Sequence, residues 1–142
     1  MQEYDCLKLE NQLCFPLYAA SREILRMYTP LLKKIDLTYT QYIVMMVLWE
    51  EKEANVGELG KRLFLDTGTL SPLLKAMEKK SLLKRKRDSE DERIVKIMIT
   101  EEGEALKEKA LAVPHEIGSC INLSKEESQT LYKLLYKIIK SS

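Results

Sequence analysis

The sequence has few cysteines, one histidine and no long apolar run. Its 142 residues include three cysteines and no Cys-x-x-Cys pair, so the clustered soft ligands of a zinc or iron–sulfur site are missing. An odd number of cysteines behind an acidic, non-signal N-terminus also argues against a disulfide framework. The longest apolar stretch, Ile43 to Trp49, is far shorter than the roughly 20 residues of a membrane-spanning helix. We therefore expect no metal, no cofactor, no membrane span and a cytoplasmic location.

Length and composition favour a single globular domain over residues 1–142. A chain of this size is one ordinary domain, which excludes a multidomain enzyme. Hydrophobic residues make up 45% of the chain and charged residues 32%. There are thus enough apolar side chains for a core, and the charge is too mixed for a disordered tail.

The net charge of +1 conceals a basic centre. Between Lys61 and Lys96 the chain carries eleven basic and six acidic residues, so the flanking parts are acidic. A localised positive surface is the electrostatic feature expected of a protein that binds the phosphate backbone of nucleic acid. A single charged cluster is more often just a solvated surface, so this observation needs support from the fold.

Apolar residues at helical spacing predict long helices at both ends of the chain. Between Leu13 and Ile35 they follow a helical stripe, and regular helix should begin close to Pro16, since proline is tolerated in a first turn. A capping box at Ser124 starts the last helix. So short a chain cannot cover both stripes, which predicts that residues 7–35 and 101–142 pair with a second copy in a homodimer.

The middle of the chain, residues 36–100, has the pattern of a winged helix-turn-helix in a mainly α-helical fold with a small β-wing. Thr38 and Gln41 form a capping box that opens a helix, which continues through an apolar run expected to be buried on all sides. Two short amphipathic helices and then two strands of a wing follow. Their expected positions are 55–63, about 66–80, 83–87 and 93–99.

A further helix is expected after the wing. Thr100 caps it and acidic residues occupy its first turn, where they suit the positive end of the helix dipole. It should end before Pro114. His115 is then expected in a loop with no special role.

The start of the second short helix is expected to read DNA. In a winged helix-turn-helix this helix enters the major groove, where donors and acceptors near its N-terminus reach the base edges. The residues of this type are Thr67, Thr69, Ser71 and Lys75. A purely structural role is the alternative for Thr67 and Ser71, since such residues often cap a helix.

The wing is expected to add Lys86, Asp91 and Arg93 to the DNA contacts. Asp91 and Arg93 are two residues apart, which on an extended segment places both side chains on one face. Asp91 can then hold the Arg93 guanidinium for the minor groove, whose negative potential suits a planar cation. The alternative is an ordinary surface ion pair, worth under about 1 kcal/mol.

Four segments resemble the organic-hydroperoxide-sensing repressors of the MarR family. They are Leu9-Glu10-Asn11-Gln12-Leu13-Cys14-Phe15, Leu37-Thr38-Tyr39-Thr40-Gln41-Tyr42, Leu65-Asp66-Thr67-Gly68-Thr69-Leu70 and Asp91-Glu92-Arg93. The resemblance implies a homodimeric winged-helix repressor that binds a palindromic DNA operator when reduced and releases it when organic hydroperoxide oxidises Cys14. It also implies that Tyr28 and Tyr39 hydrogen-bond the sensing cysteine, and that Cys120 forms a disulfide with it between subunits.

The chemistry of Cys14 agrees with this role. A thiol reacts with a peroxide as its thiolate, and a helix N-terminus stabilises that anion. The two tyrosines can donate phenolic hydrogen bonds to it, and Phe15 favours an organic over a polar peroxide. The resulting sulfenic acid condenses with a nearby thiol to a disulfide, for which Cys120 is the candidate and Cys6 a spare thiol.

Other interpretations of Cys14 stay open. An isolated helical cysteine is more often a small buried hydrophobe than a reactive thiol. A MarR-type repressor released by a small apolar or phenolic ligand would use Cys14 only to line a pocket. A thiol peroxidase would use Cys14 and Cys120 as attacking and resolving thiols, but the strand–helix alternation of a thioredoxin-like fold is missing. We expect a regulator and not an enzyme.

Overall fold

The computed structural model describes residues 2–140; the first residue and the last two, which the sequence assigns to the same domain, lie outside the described residues. Two short 3-10 helices precede the regular elements. The helices are α1 Cys14–Lys33, α2 Tyr39–Glu51, α3 Val56–Leu63, α4 Thr67–Lys79, α5 Glu101–Ala110, α6 Ala112–Cys120 and α7 Lys125–Lys140, and the strands are β1 Glu53–Asn55, β2 Leu83–Arg87 and β3 Val95–Ile99. The predicted mainly α-helical architecture with a small β-wing is confirmed.

Capping boxes start two helices where the sequence predicts them. The Thr38 hydroxyl accepts a hydrogen bond from the Gln41 backbone N–H at 3.3 Å, and the Gln41 side-chain oxygen accepts one from the Thr38 N–H at 3.1 Å. Ser124 and Glu127 form the same reciprocal pair before α7. Each pair satisfies N–H groups that a helix start leaves without partners, so both predictions are confirmed.

The cap of α4 is Asp66, and neither Thr67 nor Ser71. The Asp66 carboxylate accepts a hydrogen bond from the Thr69 N–H at 2.7 Å. Pro72 lies in the second turn of α4. The helix continues past Pro72 without the one hydrogen bond that its N–H would have made.

The wing belongs to a three-stranded antiparallel sheet with the order β1-β3-β2. The predicted pairing of β2 with β3 is confirmed, with Arg85 opposite Ile97. β1 is an additional strand that the sequence analysis missed, and its Ala54 lies opposite the same Ile97 on the other side. A strand of three residues is too short for an alternating pattern to reveal it.

The tip of the wing is a turn, and the strand predicted to start at Arg93 begins only at Val95. The Ile94 N–H donates to the carbonyl of Asp91 at 3.0 Å, and the Asp88 N–H donates to the carbonyl of Ile94 at 2.9 Å. These hydrogen bonds close the connection. The expectation that Asp91 and Arg93 share one face of an extended strand is therefore wrong.

The segment around His115 is helical, and its assignment to a loop is wrong. α5 ends before Pro114 as predicted, but α6 begins at Ala112 and includes both residues. Pro114 is accommodated because it lies in the first turn of α6, where its missing N–H needs no helical partner. Val113 and Ile117 of α6 are buried, and α6 packs against α1.

The core lies between α2, the helix-turn-helix and the sheet. Leu48, Leu59, Leu70 and Ile97, which come from α2, α3, α4 and β3, have no exposed surface. The apolar run of α2 is largely buried, but Met46 is 39% exposed, so the expectation of burial on all sides is wrong at that residue.

Helices α1 and α7 present apolar side chains that their own chain does not cover. Leu32 is the buried residue of α1, and no residue of α7 is buried within the described chain. The exposed apolar residues include Leu17, Tyr18 and Leu25 of α1 and Leu131, Tyr132 and Leu134 of α7. An apolar surface of this kind marks a site of interaction. It lies on the two segments that the sequence predicts to pair in a dimer.

Candidate functional site

The helix-turn-helix presents the residues predicted to read DNA at the surface. In α4, which we call the recognition helix, Thr67, Thr69 and Lys75 are exposed and Ser71 is half-buried. Thr67 and Ser71 line a cleft of about 330 Å³ whose opposite wall includes Arg93. The start of the recognition helix and the tip of the wing thus converge on one surface.

Asp91 holds the guanidinium of Arg93 in the turn of the wing. Arg93 donates from Nε to Oδ1 at 3.0 Å, from Nη2 to Oδ2 at 3.1 Å and from its backbone N–H to Oδ1 at 3.1 Å. These hydrogen bonds raise the pKa of Arg93 and lower the pKa of Asp91. The Arg93 side chain is 90% exposed. The turn therefore presents an oriented planar cation to solvent, which is the geometry required in a narrow minor groove.

Arg85 is a residue of this surface that the sequence analysis did not single out. It lines the same cleft and is held by Glu78 in the last turn of α4. Its backbone N–H donates to Glu78 Oε2 at 3.0 Å and its Nε donates to Glu78 Oε1 at 3.0 Å. The hydrogen bond from the Arg85 backbone N–H, followed in size of effect by the one from the Arg85 side chain, holds the pKa of Glu78 below its usual range. This clamp joins the recognition helix to the wing.

Lys86 lies apart from the cleft. Side chains alternate along a strand, so Arg85 shares the face of the buried Leu83 while Lys86 points to the opposite face. There Lys86 lines a separate depression with Glu53 and Lys96. The alternation of side chains along the strand from Leu83 is the signal that distinguishes Arg85 from Lys86. It can be applied only once the buried face of the strand is known.

Cys14 is the first residue of α1, and its thiol is free and exposed. The residue before it, Leu13, has no side chain that can cap the helix, and no acidic residue occupies the first turn. By contrast, α2, α3, α4, α5 and α7 start with side-chain caps. The first turn of α1, in which Pro16 has no N–H, therefore lacks a side-chain cap that would compete with an anion on Cys14. Phe15 beside it is 44% exposed.

Tyr28 and Tyr39 lie together but away from Cys14 in the same chain. Their ring centroids are 4.8 Å apart, and Tyr42 lies 5.9 Å from Tyr28. Burial raises the pKa of both Tyr28 and Tyr39, so each keeps a phenolic O–H to donate. Along α1, however, Tyr28 is roughly 21 Å from Cys14, at 1.5 Å per residue. One chain does not bring the predicted sensor residues together.

The other two cysteines also carry free, exposed thiols. Cys120 is the last residue of α6, the helix that packs against α1. Cys6 lies in the first 3-10 helix, and its Sγ donates to the carbonyl of Glu3 at 3.8 Å. Both thiols are accessible to a second chain.

Two kinds of structural feature are absent within the described residues. Within residues 2–140, no group of three or more His, Cys, Asp or Glu side chains is placed to hold a metal ion. None of the helices over the same range combines the length and apolarity needed to cross a bilayer.

The helix-turn-helix and wing, in which Thr67 of α4 and Arg93 line one cleft, have the architecture of a winged-helix transcriptional regulator. Residues 26–110 match the family model described as transcriptional regulator SarA/Rot. The organic hydroperoxide resistance transcriptional regulator of Bacillus subtilis (strain 168) is 47% identical to this chain. The alignment has 142 positions and covers 98% of this chain and 95% of the relative.

Two solved structures of AbfR, a protein of Staphylococcus epidermidis, are also similar. Reduced AbfR bound to DNA is 35% identical, with 95% of both chains covered and a TM-score of 0.78. Disulfide-formed AbfR is 34% identical, with 98% of this chain and 94% of that chain covered and a TM-score of 0.65. The chain belongs to the MarR family of transcriptional regulators. The resemblance of its sequence to the organic-hydroperoxide-sensing members of this family is confirmed.

Proposed function

We propose that this regulator is a homodimeric repressor that binds a palindromic DNA operator when Cys14 is reduced and releases it when organic hydroperoxide oxidises Cys14. The observation that carries the proposal is the position of Cys14. Its thiol occupies the uncapped N-terminus of α1, within an apolar surface that lacks a partner in the single chain. A redox-active group at a dimer contact can change the relation between the two DNA-reading units.

The apolar surfaces that α1 and α7 leave uncovered support the dimer. Leu131 and Leu134 of α7 are 42% and 53% exposed, and Leu17 of α1 is 40% exposed. A two-fold pairing of these helices buries both stripes and presents two recognition helices one DNA turn apart, about 34 Å. A palindromic operator is the matching partner.

The dimer also supplies the tyrosines that one chain cannot bring to its own Cys14. We infer that Tyr28 and Tyr39 of the partner subunit donate their phenolic hydrogens to the Cys14 thiolate. Two phenolic donors and the N-terminus of α1 then stabilise the same anion. Phe15 and the neighbouring exposed Leu13 make the surroundings apolar, which favours a peroxide with an organic group.

The oxidation proceeds in two balanced steps. The Cys14 thiolate attacks the outer oxygen of the hydroperoxide, the O–O bond breaks, and the alkoxide leaves and takes up a proton to become an alcohol. The product is a sulfenic acid on Cys14. The thiol of Cys120 from the partner subunit then attacks the Cys14 sulfur, forms the disulfide and releases water. The disulfide-formed relative supports this second step.

Operator release is tested with cysteine variants and cumene hydroperoxide. Reduced wild-type protein and Cys14→Ser should both bind a labelled operator in a gel-shift or anisotropy assay, and peroxide should release only the wild type. Cys6→Ser is the matched control and should behave like the wild type. Peroxide release of Cys14→Ser would contradict the proposal.

The disulfide partner is tested separately on non-reducing gels. Cys120→Ser should give no peroxide-induced covalent dimer, while Cys6→Ser should give the full amount. The opposite pattern would assign the resolving role to Cys6. Intact mass before and after one equivalent of peroxide distinguishes a disulfide from a sulfenic or more oxidised cysteine.

A further inference from the structure

Lys80 joins the C-terminal end of the recognition helix to the corner between α1 and α2. Lys80 is the residue that caps the end of α4. Its ammonium donates to the backbone carbonyl of Asp36 at 2.6 Å and to the side-chain oxygen of Gln41 at 3.0 Å. The Asp36 carboxylate lies 3.7 Å from the same nitrogen. One side chain thus holds two parts of the chain that are about forty residues apart in sequence.

The acceptor on the α2 side is a buried polar group. Gln41 is 6% exposed and is the buried polar residue of the described chain. Its side-chain oxygen accepts from the Thr38 N–H at 3.1 Å as well as from Lys80 at 3.0 Å. A carbonyl oxygen has two acceptor positions, and both are occupied here. The capping box at the start of α2 and the end of α4 therefore share one oxygen atom.

The same corner carries a tyrosine of the proposed sensor. Tyr39 is the first residue of α2 and lies between Thr38 and Gln41 in the capping box. Its ring is half-buried and packs at 4.8 Å against Tyr28 of α1. Tyr39 and the Gln41 side chain, which accepts the hydrogen bond from Lys80, therefore lie in the same first turn of α2.

We propose that Lys80 is a positioning residue that couples Tyr39 to the orientation of the recognition helix. The inference rests on the proposed function, because it takes Tyr39 as the group that responds to Cys14 oxidation. When the thiolate is lost, the first turn of α2 shifts and the oxygen shared by Thr38 and Lys80 moves with it. The end of α4 follows through Lys80.

The geometry amplifies a small shift at the corner. Lys80 holds the C-terminal end of α4. Thr67 lies at the N-terminal end, where it lines the same cleft as Arg93. The two ends are roughly 20 Å apart at 1.5 Å per residue. A tilt of α4 that begins at its Lys80 end therefore displaces Thr67 more than it displaces Lys80.

The test compares operator binding of reduced and oxidised protein for Lys80→Met. Methionine keeps the length of the side chain and removes the ammonium group. The measured quantity is the ratio of the operator dissociation constants after and before cumene hydroperoxide. We expect this ratio to fall by about tenfold, which lies within the usual range of coupling between two sites. The rate of Cys14 oxidation, followed by intact mass, should stay at the wild-type value.

Two further variants separate coupling from a merely structural role. Lys80→Arg keeps a donor of similar reach and should restore most of the ratio. Lys79→Met removes the adjacent exposed lysine of α4 and should leave the ratio unchanged, even if it weakens both redox states equally. A structural role for Lys80 would likewise shift both dissociation constants together and leave their ratio at the wild-type value.

The outcomes distinguish this inference from the function on which it rests. A large wild-type ratio that persists in Lys80→Met overturns the role of Lys80 and leaves the redox repressor intact. A wild-type ratio near one overturns the redox repressor and the coupling together. A large wild-type ratio that falls in Lys80→Met and returns in Lys80→Arg supports both.

Discussion

Replacing Glu78 by glutamine tests whether the clamp on Arg85 orders the DNA-binding surface. The Glu78 carboxylate accepts hydrogen bonds from the Arg85 backbone N–H and Nε, both at 3.0 Å, and its Oε1 lies 3.0 Å from Nη2. Glutamine has nearly the same shape but offers one oxygen and no charge. It can keep the backbone contact or the guanidinium contact, and not both.

The magnitude follows from the partial exposure of the pair. The Glu78 and Arg85 side chains are 35% and 32% exposed, which places the clamp between an exposed ion pair, worth about 0 to 1 kcal/mol, and a charged hydrogen bond, worth about 1.5 to 3 kcal/mol. We expect the free energy of unfolding to fall by about 1 kcal/mol, which corresponds to about 3 to 4 °C in Tm for a chain of this size. Operator affinity should fall about fivefold if the loss is expressed in binding.

The effect of Glu78→Gln should depend on pH in a defined direction. The hydrogen bonds from Arg85 hold the pKa of Glu78 below its usual range in the folded protein. The stabilisation is therefore complete above the pKa of an unfolded glutamate and disappears as the pH falls through the lower pKa of the folded state. The difference between wild type and variant should persist at neutral pH and shrink below about pH 4.

The assay is urea unfolding of the reduced proteins, with operator binding by fluorescence anisotropy on the same samples. Protein concentrations must be equal because the stability of a dimer depends on concentration. Glu90→Gln is the matched control, since it removes the same charge from the wing and the Glu90 side chain is exposed. Equal unfolding free energies and equal operator affinities for Glu78→Gln and the wild type would refute the reasoning.

Two further predictions concern the wing and the dimer. Asp91→Asn should loosen the Arg93 guanidinium, which now donates hydrogen bonds to the Asp91 carboxylate at 3.0 and 3.1 Å. Operator binding, measured by anisotropy, should weaken by no more than about fivefold; a loss of a hundredfold or an unchanged affinity would each contradict this expectation. Leu134→Glu places a charge on the apolar stripe of α7. Because Leu134 is 53% exposed in the single chain, the helical circular dichroism should be retained. Sedimentation should show monomers that no longer bind operator, since the charge would be buried in the proposed dimer interface. A variant that still sediments as a dimer would contradict the proposed interface.

The elements that the sequence predicts correctly are those whose starts depend on contacts between residues close together in the chain. The starts of α2 and α7 depend on side chains that reach N–H groups three residues away, as Thr38 and Ser124 do. The start of α3 depends in the same way on Asn55, whose side-chain oxygen accepts a hydrogen bond from the Glu58 N–H at 2.8 Å. Such contacts are visible as residue types at fixed spacing.

The errors fall where a position has more than one locally acceptable structure. His115 follows a proline, which is compatible both with a loop and with the first turn of α6, and the burial of Ile117 favours the helix. Arg93 could continue a strand by its sequence, but hydrogen bonds across the turn delay β3 to Val95. Packing decided between the alternatives at His115, and hydrogen bonds across the turn decided at Arg93.

The amino-acid sequence by itself determined the positions of helices α1 to α5 and α7, the basic segment of the helix-turn-helix and wing, the apolar stripes of the terminal helices and the family. Each of these is written in residue types at short and regular spacing. Only the tertiary structure decided that Glu78 clamps Arg85 and that Lys80 reaches Gln41. Both contacts join side chains of different secondary-structure elements. They are set by how the elements pack, which no local pattern records.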